Sequence, residues 1–353
     1  MSDTNTAWVD LVSPSHPFFF KSLLDELPEL NRNVTVRQKT ETVGLADSAG
    51  FDYDILGRDF DNTFLRKVGI PLRTIQATLQ APDADISLSS RNAMCVLASK
   101  ARGIPSIHFT DNDITAHVDG LHIEKLYNRF EAQATHNVVP AAFDTNELTR
   151  WGATSEQIHT YDGYKEDIYI ANFEPDTTFQ DQLPFNDYIV IRPEALGAAY
   201  VDTDQSIIPE LLERATDEGL NVVYLPRGRD DEEYAEPFSS SGVYIPSETL
   251  DGLQLAWYSD GVLTGSGTMA REAACMGIPA VSFFPETPLS VDQEMINDGM
   301  IFHSRDSQAI VEFIDSQSTR DREADISRSE DVLSDVVATV NSIINSETTK
   351  NEL

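Results

Sequence analysis

The chain has 353 residues, 41% of them hydrophobic and 24% charged, a globular composition with enough apolar material for two cores. It carries 59 Asp and Glu against 25 Lys and Arg, a formal net charge of -34. That negative field repels phosphate backbones and anionic lipids. It therefore excludes general nucleic-acid binding and argues against adhesion to a membrane through a basic patch.

The acidic residues are spread along the chain and Lys is scarce, a pattern typical of a surface adapted to high salt, as in halophilic archaea. An ordinary acidic protein is the alternative. Cys95 and Cys275 are too few for a disulfide framework, so a reducing cytoplasm is expected. No segment resembles a signal peptide, and no run approaches the roughly 18 apolar residues of a membrane span. We expect a cytoplasmic protein without stable membrane insertion.

Short apolar strands alternate with amphipathic helices, which is the α/β pattern. In the first half, strands are predicted at 7–12, 33–37, 53–56, 85–88, 106–109 and 137–139, and helices at 18–27, 43–49 and 92–102. In the second half, strands are predicted at 188–191, 221–225, 242–245, 261–264 and 280–284, and helices at 206–218, 268–276, 307–314 and 331–344.

This organisation predicts an α/β protein of two Rossmann-like domains that face a cleft, at 1–172 and 187–330. A polar linker at 173–186 separates them, and a C-terminal helix with a polar tail follows at 331–353. Ligands of open parallel sheets bind outside the carboxyl ends of the strands. The residues just after each strand are therefore the candidates for chemistry.

The most informative motif, Gly265-Ser266-Gly267-Thr268, leads directly from a predicted strand into a helix. Unpaired backbone N–H groups, a positive helix dipole and glycines that allow close approach favour phosphate binding there. Ser266 and Thr268 add hydroxyl donors, and Glu272, one turn further on, could accept hydrogen bonds from a sugar's vicinal hydroxyls. The alternative is a tight turn with Thr268 as the N-cap.

The stretch from Ser266 to Ala273, with Gly277-Ile278-Pro279 after it, resembles the nucleotide-sugar site of GT-B glycosyltransferases and non-hydrolysing UDP-N-acetylglucosamine 2-epimerases. In those families the small-residue turn binds the diphosphate and a helix carboxylate holds the ribose hydroxyls. The resemblance thus assigns Glu272 to the ribose. It also implies a GT-B-like fold, with the first domain on the acceptor side and the second holding the nucleotide sugar.

Over roughly residues 7–315 the chain is still more similar to an archaeal family catalogued as a domain of unknown function (three-five-four). The hallmarks of that family appear here as Pro14-Ser15-His16-Pro17-Phe18-Phe19, Arg192-Pro193-Glu194 and the segment 265–273. The family is related to the same enzymes, so the resemblance specifies the fold more closely than the reaction.

His16 lies in the loop after the first predicted strand. In GT-B enzymes this loop faces the cleft, and some carry a His there as the general base for the acceptor, a duty that suits the pKa of imidazole. The alternative is a structural His at the start of a helix. The Gly-Gly of that loop is replaced here by Ser13-Pro14-Ser15, which argues against diphosphate contact from this side.

Charged residues follow three further predicted strands. Arg192 and Glu194 follow one, and Arg227 follows another; in a chain poor in cations, arginines at strand ends favour anion binding, because a guanidinium can grip a phosphate through two hydrogen bonds. Salt bridges to the abundant carboxylates are the alternative. Asp111 and its neighbour Asp113 follow the strand at 106–109, and Asp111 is a candidate base, with a simple loop turn as the alternative.

The 2-epimerases place a His-Gly-Asp after the fourth strand, where this chain reads Leu88-Ser89-Ser90-Arg91 without the carboxylate. Their acid–base pair therefore looks incomplete, which weighs against epimerisation. No spacing of His, Cys or paired carboxylates indicates a metal site, and no cofactor is implied.

The first hypothesis is accordingly a metal-independent, hexosyltransferase-like glycosyltransferase that uses a nucleotide sugar, UDP-linked by resemblance, in surface glycan or glycoprotein glycan assembly. His16 or Asp111 would deprotonate a glycan or lipid-linked acceptor. The alternatives are a sugar-nucleotide epimerase and a non-catalytic nucleotide-sugar-binding subunit that needs a partner subunit.

Overall fold

The computed structural model describes residues 4–38, 40–58, 74–197, 201, 203, 205–318 and 324–351. The chain divides into two compact units, which we call unit 1 (Met1–Ala171 with Glu330–Leu353) and unit 2 (Asn172–Ser329). Each unit contains one parallel sheet flanked by helices, so the predicted α/β class with two Rossmann-like domains is confirmed.

Unit 1 is built on a seven-stranded parallel sheet with the order β3-β2-β1-β4-β5-β6-β7. Its strands are β1 (Thr6–Leu11), β2 (Asn31–Gln38), β3 (Tyr53–Arg58), β4 (Ile86–Ser90), β5 (Ser106–Phe109), β6 (His136–Pro140) and β7 (Ile158–Tyr161). Its helices are α1 (His16–Asp25), α2 (Thr40–Ser48), α3 (74–80), α4 (Ala93–Arg102), α5 (Ile114–His117), α6 (His122–Glu131), α7 (Asn146–Thr149), α8 (Lys165–Ile170) and α15 (Ser327–Asn351).

The sheet of unit 1 is fixed by one buried polar side chain as well as by its apolar core. Asp10, at the end of β1, accepts from Thr35 Oγ1 at 2.6 Å and from Asn92 Nδ2 at 2.7 Å. It therefore ties β1 to β2 and to the N-cap of α4. Burial raises the pKa of this carboxyl, although both hydrogen bonds oppose that change.

Unit 2 is built on a six-stranded parallel sheet with the order β10-β9-β8-β11-β12-β13. Its strands are β8 (Ile189–Arg192), β9 (Val222–Tyr224), β10 (Val243–Tyr244), β11 (Gly261–Thr264), β12 (Ala280–Ser282) and β13 (Ile301–His303). Its helices are α9 (Ile208–Asp217), α10 (Arg229–Ala235), α11 (Gly252–Trp257), α12 (Gly267–Cys275), α13 (Ser290–Asn297) and α14 (Ser307–Ser318).

Two strands, β7 and β13, were not predicted from the sequence. Both lie at the edge of their sheet and are only three or four residues long, with half-exposed polar positions that break the buried apolar pattern. The segment predicted as a linker packs on unit 2. Phe179 stacks on Tyr258, and the Gln254 side chain bonds the backbone of Glu174 and Asp176.

Candidate functional site

In unit 2 the winding of the sheet reverses between β8 and β11, so the loops after these strands part and leave a crevice. Arg192 and Thr264 pair in register at the two strand ends. The Gly265 N–H donates to the Arg192 carbonyl at 3.1 Å. A Cβ on Gly265 would lie 2.6 Å from the Cα of Glu194, so only glycine lets the two loops meet this closely.

The N-terminus of α12 opens at this crevice. Ser266 is the N-cap, in place of the Thr268 considered from the sequence, and no side chain among the described residues caps the helix. The Ser266 N–H donates to Thr264 Oγ1 at 2.9 Å, which fixes the turn. Ser266 and Gly267 are half-buried and Thr268 is exposed. The first-turn amides of α12, which have no intrahelical acceptor, are therefore available to an anionic ligand.

A buried ion pair between Arg271 and Asp292 packs against the first turn of α12. Arg271 Nη1 lies 2.8 Å from Asp292 Oδ1, and both side chains are buried. A Cβ on Gly267 would come within 2.9 Å of Arg271 Nη1, so this glycine is also required for close packing. Asp292 could not be predicted as the partner, because it lies on α13, 21 residues further along the chain.

Arg192 is the strongest anion-binding candidate of unit 2. Ile189 and Ile191 face the apolar cluster that includes α9 and α14, so alternation along β8 puts Arg192 on the opposite face, with α12. The side chain is half-buried, and no acceptor among the described residues pairs with its guanidinium. In a chain with a net charge of -34, such a cation is suited to an anionic ligand.

Glu194 and Arg227 have contacts that shape the same loops. Glu194 is buried, and its oxygens accept from Ser206 Oγ at 2.8 Å and from Arg305 Nη1 at 3.1 Å. Arg227 Nε donates to the Pro193 carbonyl at 2.9 Å. We therefore expect Glu194 to hold the loop rather than to contact a ligand. Arg305, the partner of Glu194, follows β13. It was not among the predicted site residues, because β13 was not predicted as a strand.

His16 is the first residue of α1 and is almost fully buried. Burial, reinforced by Lys165 and His108, holds the pKa of His16 well below its usual value, so the imidazole is neutral at pH 7. Its Nδ1 accepts from the Val12 N–H at 3.3 Å, which assigns the proton to Nε2. In this tautomer Nε2 is a hydrogen-bond donor, whereas the sequence had suggested a general base.

The Asp111 carboxylate acts on His16 through its charge, which raises the pKa of the imidazole against the larger effect of burial. The carboxylate is buried, with Lys165 Nζ 4.0 Å from its Oδ1. Asp113, by contrast, accepts from the Asp144 N–H at 3.0 Å and pairs with His117 Nε2 at 3.4 Å, which gives it a role in holding the loop. Asp111 is therefore the better base candidate of the two.

A charged network around the buried Glu131 follows β4, where the resemblance to the 2-epimerases had led us to look for a carboxylate. Arg91 adopts a left-handed backbone, with φ of 43°, and its Nη1 lies 2.6 Å from Glu131 Oε2. Its Nη2 lies 3.1 Å from Glu124 Oε2. Burial alone would raise the pKa of Glu131, but Arg91 and His108 hold it below its usual value. The sequence did not reveal Glu131, because it ends a helix rather than following a strand.

In the described part of the chain, no three side chains of His, Cys, Asp or Glu converge in a way that could hold a metal ion. Likewise, none of the helices in the described ranges combines the length and apolarity required to cross a membrane.

Residues 5–345 match the family described as "Protein of unknown function (DUF354)". The chain belongs to this family. The resemblance predicted from the sequence is therefore confirmed. Among curated relatives of this DUF354 chain, the Uncharacterized protein MJ0665 of Methanocaldococcus jannaschii is 24% identical over 321 residues, which cover 87% of this chain and 90% of the relative.

Two solved structures show the fold of the DUF354 chain. UDP-GlcNAc 2-epimerase from Neisseria meningitidis bound to UDP-GlcNAc matches with a TM-score of 0.67 at 13% identity, covering 95% of this chain and 100% of that one. The Methanocaldococcus jannaschii UDP-GlcNAc 2-epimerase in complex with UDP-GlcNAc and UDP gives a TM-score of 0.68 at 12% identity, covering 95% and 99%. The fold is accordingly GT-B-like, as predicted.

Within unit 2 of this DUF354 chain, the structure brings Arg192, Glu194, Arg227 and the glycine turn to one edge of the sheet, and Glu272 lies half-buried on the adjoining helix. Within unit 1 Asp111 is within electrostatic range of His16. Their roles toward a ligand stay predictions.

Proposed function

We propose that this chain is an enzyme that binds a nucleoside diphosphate sugar at the N-terminus of α12 and transfers the sugar to an acceptor hydroxyl. The observation that carries the proposal is the N-terminus of α12 next to Arg192: among the described residues, no side chain caps the helix and no acceptor pairs with the guanidinium. Backbone donors and a bidentate cation at one point are what a diphosphate requires, above all within a negatively charged protein.

The same groups would assist the chemistry as well as the binding. Cleavage of a sugar–phosphate bond develops negative charge on the departing diphosphate. Fixed amides of α12 and the Arg192 guanidinium would stabilise that charge without reorganisation. Glu272, one turn into α12, would accept hydrogen bonds from the ribose hydroxyls, and the ligands named for the similar structures favour UDP as the nucleotide.

The acceptor chemistry is assigned to unit 1. Asp111 is the proposed general base, because it is a buried carboxylate with a neighbouring cation, Lys165. His16, with a proton on Nε2, would donate a hydrogen bond rather than remove a proton. A glycan or lipid-linked acceptor in surface glycan or glycoprotein assembly is the proposed setting, with no metal in the reaction.

Sugar-nucleotide epimerisation is the second candidate, and the fold shared with UDP-GlcNAc 2-epimerases favours it. It requires at least two groups that exchange protons with the sugar. The position after β4 carries Arg91, which is held in an ion pair with Glu131. This chain therefore has a fixed cation at the position where the epimerases have an acid. This contrast is why we place transfer first. A non-catalytic nucleotide-sugar-binding subunit is the remaining alternative.

Binding can be tested by thermal unfolding with UDP, UDP-GlcNAc, UDP-glucose, GDP-mannose and dTDP-glucose. A ligand present at about a hundred times its dissociation constant adds roughly 2.7 kcal/mol to the free energy of unfolding. We expect one nucleotide class to raise the melting temperature. Glu272→Ala should lose the effect, while the exposed Glu213→Ala on α9 serves as the matched control. If no nucleotide stabilises the wild type, the diphosphate site is wrong.

Turnover separates the two reactions. With oxygen-18 in the sugar–phosphate bridge of UDP-GlcNAc, an epimerase scrambles the label without any acceptor. A transferase releases UDP only when an acceptor is added, and Asp111→Asn should then lower kcat with little change in UDP binding. Binding without either result would favour the non-catalytic subunit.

A further inference from the structure

A groove of about 440 Å³ lies in unit 1 between the β6–β7 edge of the sheet and the C-terminal helix α15. His136 on β6 and His159 on β7 line it from the sheet side, and the hydroxyls of Thr339, Ser342 and Ser346 line it from α15. The groove is separate in the fold from the loops that carry His16 and Asp111, which follow β1 and β5.

Three titratable side chains form a continuous chain beside this groove. His136 Nε2 lies 3.1 Å from Glu347 Oε1, and His136 Nδ1 lies 3.0 Å from His159 Nε2. This arrangement could not be predicted from the sequence, because His159 and Glu347 are 23 and 211 positions from His136. Lys350 Nζ also lies 2.6 Å from Glu347 Oε1, the oxygen that His136 contacts.

The hydrogen bond to Glu347 fixes the tautomer of His136. A carboxylate accepts only, so Nε2 of His136 carries the proton and Nδ1 presents its lone pair toward His159. A His whose other nitrogen donates to a carboxylate is the arrangement found in metal-binding histidines.

From this geometry we propose that His136 Nδ1 and His159 Nε2 form a two-histidine site for a divalent transition metal ion such as Zn²⁺, with Glu347 as the carboxylate that orients His136. Two Zn–N bonds of 2.0–2.1 Å at the tetrahedral angle place the two ligand nitrogens about 3.3 Å apart. His136 Nδ1 and His159 Nε2 are 3.0 Å apart, so they would have to separate by only a few tenths of an ångström. His159 is half-buried, so its ring can turn to meet the ion while its proton moves to Nδ1.

The remaining coordination positions would face the groove. Since no third His, Cys, Asp or Glu among the described residues completes the set, water or an exogenous ligand would occupy them beside Ser342 and Ser346. Glu347 belongs to α15, whereas both imidazoles belong to the sheet. A bound ion would therefore also strengthen the attachment of α15 to unit 1.

The test is isothermal titration of the full chain, freed of metal by EDTA and dialysis, with Zn²⁺ alone. We expect one ion per chain in the wild type. His159→Gln should lose binding, because its amide can still donate to His136 Nδ1 but cannot replace the imidazole ligand. The exposed His122→Gln is the matched control and should bind like the wild type. Glu347→Ala should weaken binding by about 10- to 100-fold.

Co²⁺ provides a second readout, since coordination by imidazole gives visible absorption bands that free Co²⁺ at the same concentration lacks. Retention of UDP-induced stabilisation in His159→Gln would show that the variant is folded and that the nucleotide site is unaffected. If wild type binds no Zn²⁺, or if His159→Gln binds it as tightly as wild type, the proposal is wrong and the pair is only a hydrogen bond between two histidines.

Discussion

The two units have the same winding but opposite chemistry at the carboxyl ends of their strands. In unit 1 these strand ends are followed by charged groups that pair with one another, as Arg91 does with the buried Glu131 and with Glu124. In unit 2 they are followed by a glycine turn and Arg192, and in the part of the chain that the structure describes no side chain caps the helix or pairs with that arginine. The topology thus provides a crevice in each unit, and the side chains decide whether it is occupied by the protein or available to a ligand.

The difference has an energetic consequence. A buried ion pair contributes little net stability when complete but is expensive to break, because one charge is then left in a poorly solvated site. A half-buried guanidinium without a protein partner behaves in the opposite way. Its removal should leave the free energy of unfolding unchanged and should weaken only the binding of the ligand.

The largest effect is expected in unit 1 for Glu131→Gln. Removal of this buried carboxylate leaves Arg91 with a poorly compensated charge, so the free energy of unfolding should fall by about 3 kcal/mol or more. Glu124→Gln is the matched control, because Glu124 contacts the same guanidinium from a side chain that is 38% exposed, and it should change stability by less than about 1 kcal/mol. If urea denaturation shows the same loss of free energy of unfolding in both variants, the two carboxylates do not differ as predicted.

In unit 2 the expected effect of Arg192→Ala is on binding. Loss of charge-assisted hydrogen bonds to a diphosphate should weaken UDP binding by about 10- to 100-fold, or about 1.5–3 kcal/mol. The melting temperature without ligand should stay unchanged. Arg214→Ala, which removes an exposed ion pair with Glu210 on α9, is the control and should bind UDP normally. Unchanged UDP affinity in Arg192→Ala, measured by calorimetry, would contradict the proposed site.

The close approach of the two loops can be tested by Gly265→Ala. The added Cβ would lie 2.9 Å or less from the backbone nitrogen and Cα of Glu194, atoms that cannot move aside cheaply. We expect a loss of about 1–3 kcal/mol in the free energy of unfolding, together with weaker UDP binding. Gly252→Ala is the control, since nothing lies within 4 Å of a Cβ at that position. If Gly265→Ala is as stable as the wild type in urea denaturation, the two loops do not approach each other closely at Glu194.

The smallest effect concerns the pH dependence of stability. Because the pKa of His16 is lowered in the folded state, the unfolded chain binds a proton below about pH 6.5 that the folded chain does not. The free energy of unfolding should therefore decrease as the pH falls through this range and should be insensitive to His16 above it. His16→Gln should flatten the profile, although His159 and His303 shift in the same direction.

Denaturation at a series of pH values checks this prediction, with the exposed His122→Gln as the reference. A His16→Gln profile as steep as the wild-type profile would mean that His16 is not held neutral by burial.

Much of the fold was predictable because it rests on local patterns. Buried strands such as 188–191 and 261–264 are continuous apolar runs, and the helix after Gly265 follows a recognisable turn. The edge strand β7 was missed because half of its side chains face solvent. The Gly277 turn at the end of α12 was also predictable, since its φ of 71° suits glycine.

The candidate site was predictable only where it follows a strand. His16, Asp111, Arg192 and Gly265 became candidates in this way, and their roles stay predictions. The tautomer of His16 was not, because it depends on the Val12 N–H across a folded loop.

The sequence by itself determined the α/β class, the family and the glycine turn, since each depends on neighbouring residues or on a continuous motif. Only the tertiary structure decided that Glu131 pairs with Arg91, that Asp292 supports α12, and that Glu347 meets His136 from the far end of the chain. The physical reason is that burial and charge pairing arise from contacts between distant segments. Residue type and spacing alone do not specify which carboxylate a buried cation will meet.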